Sequence, residues 1–441
     1  MAPLLGPDVT AGLDLRRPLL ASSSGPYREH HGSARRWATG APRVHSISLG
    51  AVPSQSSPAV AQDAPEVSIV IPCLDEAATL GAVIDKAMRA LATLGVRGEV
   101  VVADNGSTDG SQAIAGTAGA RVVEVSERGY GSALRGGFGA ARGRFVVMGD
   151  ADDTYDFGEL GRFLDVLRDG AELVIGTRLP PGTILPGANP WLNRNLGTPV
   201  LTFLLNRLFG TRIRDVNCGL RGAERTRLLA LDLRSDGMEL ASEMLIKAAV
   251  AGLRIAEVPV TLHPDRRGRP PHLRRWRDGW RHLELMLLHA PDQLLFAPGI
   301  VAFLVGLAVA LPVSAGPLLL FGRLFDFHFL FAGGALTLIG LQGALGALLV
   351  RDVARDRVLR PNRVLSWLAS RLTFGRGVAL AVALFLVGFV ADGVLLAQWI
   401  ASGFGALDEP RRPVLALLLM TLGAELGVFS FLHAALRRHL S

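Results

Sequence analysis

The chain has 441 residues, 49% of them hydrophobic, with a mean hydropathy of +0.34, which excludes a fold solvated on all sides. Its net charge is +7, yet the arginines gather beside apolar segments and form no zinc finger, bZIP basic region or RNP motif; nucleic acid is set aside and anionic lipid headgroups are favoured as partners. Cys73 and Cys218 are widely separated, which excludes a disulfide framework and a zinc signature and fits a reducing cytosol.

Residues 1–64 are rich in Ser, Pro, Gly, Ala and Arg without apolar periodicity, and read as a disordered extension or as sequence upstream of the true start. From Val67, β-rich runs alternate with helical stretches: VSIVIP, a helix to about Leu94, EVVVAD, a second helix, ARVVEV, a Gly-rich segment and RFVVMGD. Over 65–270 this alternation predicts an α/β domain with a largely parallel sheet covered on both faces, whose ligands gather at strand C-termini. That edge carries Pro72 to Glu76, Asp104 to Asp109 and Asp150 to Asp156.

Residues 271–296 predict an interfacial amphipathic helix. Leu273, Trp276, Trp280, Leu283 and Leu287 form one stripe, with Arg274, Arg277, Asp278 and Arg281 on the other. Packing of this helix on the soluble domain is the alternative. The membrane domain, 297–441, has four candidate spans, at about 297–321, 329–350, 377–400 and 413–436, each near the ~20 residues that cross a bilayer. Arg351, Arg355, Arg357, Arg360, Arg363, Arg371 and Arg376 lie between the second and third spans and Arg437 and Arg438 follow the fourth, against Arg323, Arg411 and Arg412 in the other loops. This bias places the soluble domain in the cytoplasm of a multi-pass membrane protein. Asp392 and Glu425 fall inside spans and need a polar partner, water or one another; a structural or oligomer-contact role is expected.

The string most informative about chemistry is MGDADDTYDF. A strand ending in two carboxylates one residue apart can present Asp150 and Asp152 to a divalent cation bridging a diphosphate, although loops attract Asp in any case. In IPCLDEAATL a strand breaks at Pro72, and Asp75 or Glu76 precedes a helix. In VVADNGSTDGS, Asp104 ends a strand and can accept hydrogen bonds from a nucleobase or ribose, while Asp109 reads as the N-cap of the next helix.

Together with RGYGSALRGGF, VIGTR, RDVNCGLRG and RIAEVPV, these strings resemble the family 2 glycosyltransferases of GT-A fold. Within that family they are similar to the polyprenyl-phosphate mannosyl- and glucosyltransferases related to dolichyl-phosphate mannose synthase, over about Val67 to Leu295. The resemblance implies that Pro72, Asp75, Glu76 and Ala151 line the nucleotide pocket, that Asp104 reads the base, and that Asp150 and Asp152 manage Mg²⁺ or Mn²⁺ and the diphosphate. Asn105 replaces a usual Asp. Thr154 stands where some members have a Gln metal ligand, leaving Thr154, Asp153 or water as the third ligand. The donor-side Lys of the Gly-rich segment is absent, with Arg128 or Tyr130 as substitutes. Arg178 and Arg221 match arginines that the family places near phosphates; each suits that task or a structural ion pair. Asp215 and Glu243 match acidic positions with a structural role equally open, and Cys218 reads as a buried structural thiol.

The implied reaction is inverting transfer of a hexose from a nucleotide-sugar to polyprenyl phosphate, whose largely dianionic phosphate needs no general base. Arg275, Arg277 and Arg281 would stand where that phosphate enters. A polysaccharide synthase is disfavoured because Gln293 does not open a QxxRW motif; a transferase-like membrane accessory without turnover is the other alternative.

Overall fold

The computed structural model describes residues 64–267, 275–320, 322–354, 359, 362–405 and 411–439. The N-terminal extension to residue 63, together with Leu273, Arg274, Phe321, Arg355, Arg357, Arg360 and the side chain of Arg275, lies outside them.

The first part of the described chain is built on β1 (Val67–Cys73), β2 (Gly98–Asp104), β3 (Arg121–Glu124), β4 (Phe145–Met148), β5 (Leu173–Thr177), β7 (Arg221–Glu224) and β8 (Ile255–Pro259). The short strands β6 (Thr183–Ile184) and β9 (Thr261–Leu262) form a separate pair. The main sheet has the order β3-β2-β1-β4-β7-β5-β8. All its pairings are parallel except those of β7, which runs antiparallel between β4 and β5. β1 is buried along its whole length, as a continuous apolar run covered on both faces must be. Pro72 is tolerated there because the pairing with β4 ends at Val70, so no donor is required of it on that side.

The helices α1 (Leu80–Thr93), α2 (Ser111–Thr117), α3 (Tyr130–Ala140), α4 (Leu160–Arg168), α5 (Thr198–Phe209), α6 (Arg225–Ala230) and α7 (Leu240–Val250) complete this part. In α1, Leu80, Val83, Ile84, Ala87 and Leu91 form the buried face at helical spacing. Phe145, Phe157 and Phe163 are fully buried, each removal from water contributing about 1.5–3 kcal/mol. Gly137 lets α3 lie directly on β1, because a Cβ there would collide with Val70.

Helix α8 (Arg275–Leu288) and a π-helical turn, Asp292–Phe296, lead into the spans α9 (Ala297–Ala315), α10 (Phe327–Val353), α12 (Phe374–Ala401) and α13 (Arg411–His439), with the short α11 (Arg363–Arg371) between the second and third. Among the described residues, four helices are long and apolar enough to cross a membrane. The first stops at Ala315, short of residue 321, since Leu318–Leu320 and Arg323–Phe325 pair as a small hairpin. Gly299 and Gly306 of α9 meet the backbone of α10 at Gly340 and Gly333, the close approach that small residues permit between helices in lipid. Glu425 on α13 accepts from Gln342 on α10 at 2.7 Å, giving the intramembrane carboxylate its polar partner; Asp392 is exposed on α12.

Candidate active site

The C-terminal ends of β1, β2 and β4 bring three acidic turns to one edge of the sheet. Asp75 has φ 54°, in the left-handed region, so the chain turns sharply after β1. Its carboxylate accepts from Thr108 N–H at 2.8 Å, and Ala77 N–H donates to Asp109 at 2.9 Å. The first two turns are thus clasped by reciprocal bonds. Asp109 also accepts from Ser111 N–H, but Gly110 occupies the N-cap position of α2, so Asp109 serves mainly as a cross-loop clasp.

Asp104 is buried, and its carboxylate accepts from Gly106 and Ser107 N–H and from Gln112 at 2.6 Å. Burial alone would raise its pKa; the bonds from Ser107 and Gln112 outweigh it and hold the group below the usual range. In this arrangement Asp104 organises its own turn. Asn105 explains its departure from Asp: its amide donates to the carbonyls of Val125 and Glu127, which a carboxylate cannot do, while its oxygen accepts from Gly129 N–H. Arg128 donates to Asn105 O at 2.6 Å and closes the same loop.

At the third turn Tyr130 Oη donates to Asp150 Oδ1 at 2.8 Å, joining the start of α3 to the end of β4. Burial, then the charge of neighbouring Asp152, push the Asp150 carboxyl up to about 7. Burial and the same Asp150 raise the Tyr130 phenol, which stays a donor. Gly219 is required here, because a Cβ would collide with Asp150. Thr154 donates from both N–H and Oγ1 to Asp152 Oδ1, so it positions Asp152. Asp153 is claimed by Lys86 at 2.5 Å and by Arg266 at 3.4 Å. Ala151 is buried and its carbonyl accepts from Thr79. Pro72 is buried in β1 beside Ala103.

Two arginines are held by protein partners. Arg221 is 1% exposed and spends Nε and both terminal nitrogens on the carbonyls of Cys218, Ala241 and Val216. Arg178 forms a bidentate pair with fully buried Asp215, at 2.7 and 2.8 Å. Arg221 takes the structural alternative that the sequence left open for it, and Arg178 is ion-paired while its charge still acts on Asp150. Glu243 is likewise structural, bound by Lys247 at 2.7 Å and by Ser235 N–H. Cys218 is fully buried, and burial pushes its thiol up to about 12.

The cation that reaches Glu76 and Asp152 is Arg267, which the sequence reading passed over. It donates to Glu76 at 2.9 Å, stands 3.3 Å from Asp152 Oδ2 and is held by Asp265 at 2.6 Å. These carboxylates keep its guanidinium charged, its pKa raised despite burial. The available signal was the basic string PDRRGR directly after the last strand.

Among the described residues, no three His, Cys, Asp or Glu side chains converge as a metal cage. Asp150 and Asp152 still fit a divalent cation: the Asp152 charge that helps raise Asp150 is offset by a shared positive charge, and a cation of this class readily completes its shell with diphosphate oxygens and water.

Two helices present apolar stripes outward. On α8, Trp276 and Trp280 are 85% and 61% exposed, whereas Asp278, His282 and Met286 are buried. The turn from Trp191 into α5 exposes Leu192, Leu196, Val200 and Phe203 at helical spacing, a second stripe that the sequence reading did not identify.

Residues 68–225 match Glycosyl transferase family 2, and residues 352–437 match the Glycosyltransferase family 2 C-terminal transmembrane region. A low-salt glycan biosynthesis hexosyltransferase of Haloferax volcanii is 38% identical over 376 residues, spanning 85% of this chain and 89% of that protein. A dolichyl-phosphate hexose transferase of the same organism is 37% identical over 164 residues, 37% of this chain and 69% of that protein. A solved glucosyl-3-phosphoglycerate synthase from Mycobacterium tuberculosis, in complex with Mn²⁺, UDP-glucose and phosphoglyceric acid, is 26% identical, with 51% of this chain and 79% of that chain covered and a TM-score of 0.42. Near full-length likeness to the hexosyltransferase, over a GT-A sheet that ends in an acidic pair, makes this chain a member of glycosyltransferase family 2.

Proposed function

We propose that this glycosyltransferase moves a hexose from a nucleotide-sugar to polyprenyl phosphate at the cytoplasmic membrane face. The observation that carries this reading is the short leash between acidic site and membrane helix. Arg267 touches Glu76 and Asp152, and α8, with its outward tryptophans, begins at Arg275. The eight residue-to-residue steps from Arg267 to Arg275 span no more than ~28 Å, so the acidic pair works close to the depth of lipid headgroups. The dolichyl-phosphate hexose transferase relative and the arginine bias around the spans support the acceptor and the orientation.

Asp150 and Asp152 would hold Mg²⁺ or Mn²⁺, which neutralises charge on the diphosphate of the leaving nucleotide. Tyr130 fixes the rotamer of Asp150, and Thr154 fixes Asp152. The clasped turns after β1 and β2 shape the nucleotide side of the cleft. Attack by a dianionic phosphate needs no protein base, so catalysis rests on alignment and charge stabilisation.

Purified protein in detergent, given polyprenyl phosphate, Mg²⁺ or Mn²⁺ and radiolabelled GDP- and UDP-sugars, should move label from one donor into the organic phase. EDTA and Asp152→Ala should each abolish it. Metal-dependent nucleotide binding without transfer from any donor would refute the reading in favour of another acceptor or an accessory role.

A further inference from the structure

A groove of about 630 Å³ opens where the first span begins, between the π-helical turn Asp292–Phe296, the first turn of α9 and the start of α11. Its walls are of two kinds. Phe296, Ile300 and Val364 give an apolar surface, and Arg363 and Asn362 give a polar rim. The one carboxylate in the lining, Asp292, is already compensated: Arg351 donates to both its oxygens at 2.8 Å and Asn362 to one at 2.9 Å. Arg363 is exposed and, among the described residues, makes no ion pair. The groove therefore offers one uncommitted positive charge above an apolar wall.

We infer that this groove binds a polyprenyl phosphate, with the phosphate at Arg363 and the isoprenoid chain along Ile300 and Val364; the inference rests on the acceptor reading above. Charge complementarity selects an anionic head, and the continuous apolar wall selects an attached hydrocarbon chain. The size is that of a pocket for one ligand. Position favours the acceptor over bulk phospholipid. Gln293, in the same lining, donates to Leu208 O at 3.2 Å in the last turn of α5, so the groove adjoins the catalytic part.

The test uses the full chain in phosphatidylcholine nanodiscs with a diazirine-bearing polyprenyl phosphate. Photolabel should fall on peptides containing Phe296 to Ile300 or Val364, and unlabelled polyprenyl phosphate should compete while an equal mole fraction of phosphatidylglycerol does not. Arg363→Glu should lower labelling and raise the KM for lipid about tenfold, the loss of one charge-assisted phosphate contact, with donor KM unchanged. Arg363→Lys should retain most of both. Ile300→Trp, which fills the groove, should also lose label, and serves if the Arg363 variant fails to fold. Unchanged labelling in Arg363→Glu or in Ile300→Trp, or equal competition by phosphatidylglycerol, overturns the inference. Labelling as described in a wild-type protein that transfers no sugar would refute the catalytic reading and leave the groove standing.

Discussion

Arg267 stands 3.3 Å from a carboxylate oxygen of Asp152 and donates to Glu76 at 2.9 Å, so a protein cation sits against the acidic turns from a segment far along the chain. A monovalent charge in that position competes with a divalent one for Asp152. Removing it by Arg267→Ala should strengthen Mn²⁺ binding to the nucleotide-free protein about tenfold, as expected when an opposite charge within contact distance is withdrawn. Calorimetric titration reads this directly; unchanged affinity would show that Arg267 does not oppose the metal.

Tyr130 holds Asp150 in place and favours its ionised form. Because burial and Asp152 push that carboxyl up to about 7, Mn²⁺ affinity should fall as pH drops through 7 and the carboxylate protonates. Tyr130→Phe should cost roughly tenfold in metal affinity and move the same pH transition upward. A pH series of titrations on both proteins checks direction and size together.

The bidentate pair of Arg178 with buried Asp215 makes a clear distinction between support and chemistry. Asp215→Asn leaves an uncompensated guanidinium inside the fold and should destabilise the protein by about 3–5 kcal/mol. Arg178→Lys loses the fork geometry and should lower Tm with little change in donor KM. An Arg178→Lys protein of normal Tm with a greatly raised donor KM would restore the phosphate role.

His282 ties α8 to the catalytic part through Ser242 Oγ at 2.7 Å. Burial, then the charge of Arg221, hold its pKa at about 4, against 6.5 when exposed; Asp278 opposes this in part. The folded state therefore binds this proton less readily than the unfolded one. Stability is full above pH 6.5 and should decline by roughly 3 kcal/mol as pH falls toward 4. Thermal unfolding of His282→Gln against wild type, across that window, should show this part of the slope removed.

The central acidic pair was legible because β4 is a short apolar run ending abruptly in two carboxylates, a local pattern that needs no tertiary knowledge. The spans, the GT-A sheet and the tryptophan stripe of α8 were legible for the same reason. The choice between phosphate contact and a structural pair for Arg178 and Arg221 was not, since their partners are a distant carboxylate and backbone carbonyls whose positions exist only after folding. Arg267 was hidden by its neighbours: one arginine among several in a basic run carries no mark of which one turns inward. The antiparallel β7 was equally invisible, because strand direction is set by connections and not by residue pattern. The second outward stripe, from Leu192 to Phe203, follows a Pro- and Gly-rich stretch and reads locally as an ordinary domain helix.

The seven residues between Arg267 and α8 carry a kinetic consequence. With the lipid acceptor proposed above, an active site leashed this closely to a surface-lying α8 would search for that acceptor in two dimensions. Turnover should then obey surface dilution: adding inert phospholipid at constant total acceptor should slow the reaction, and doubling the number of identical vesicles at fixed enzyme should leave the rate per enzyme unchanged.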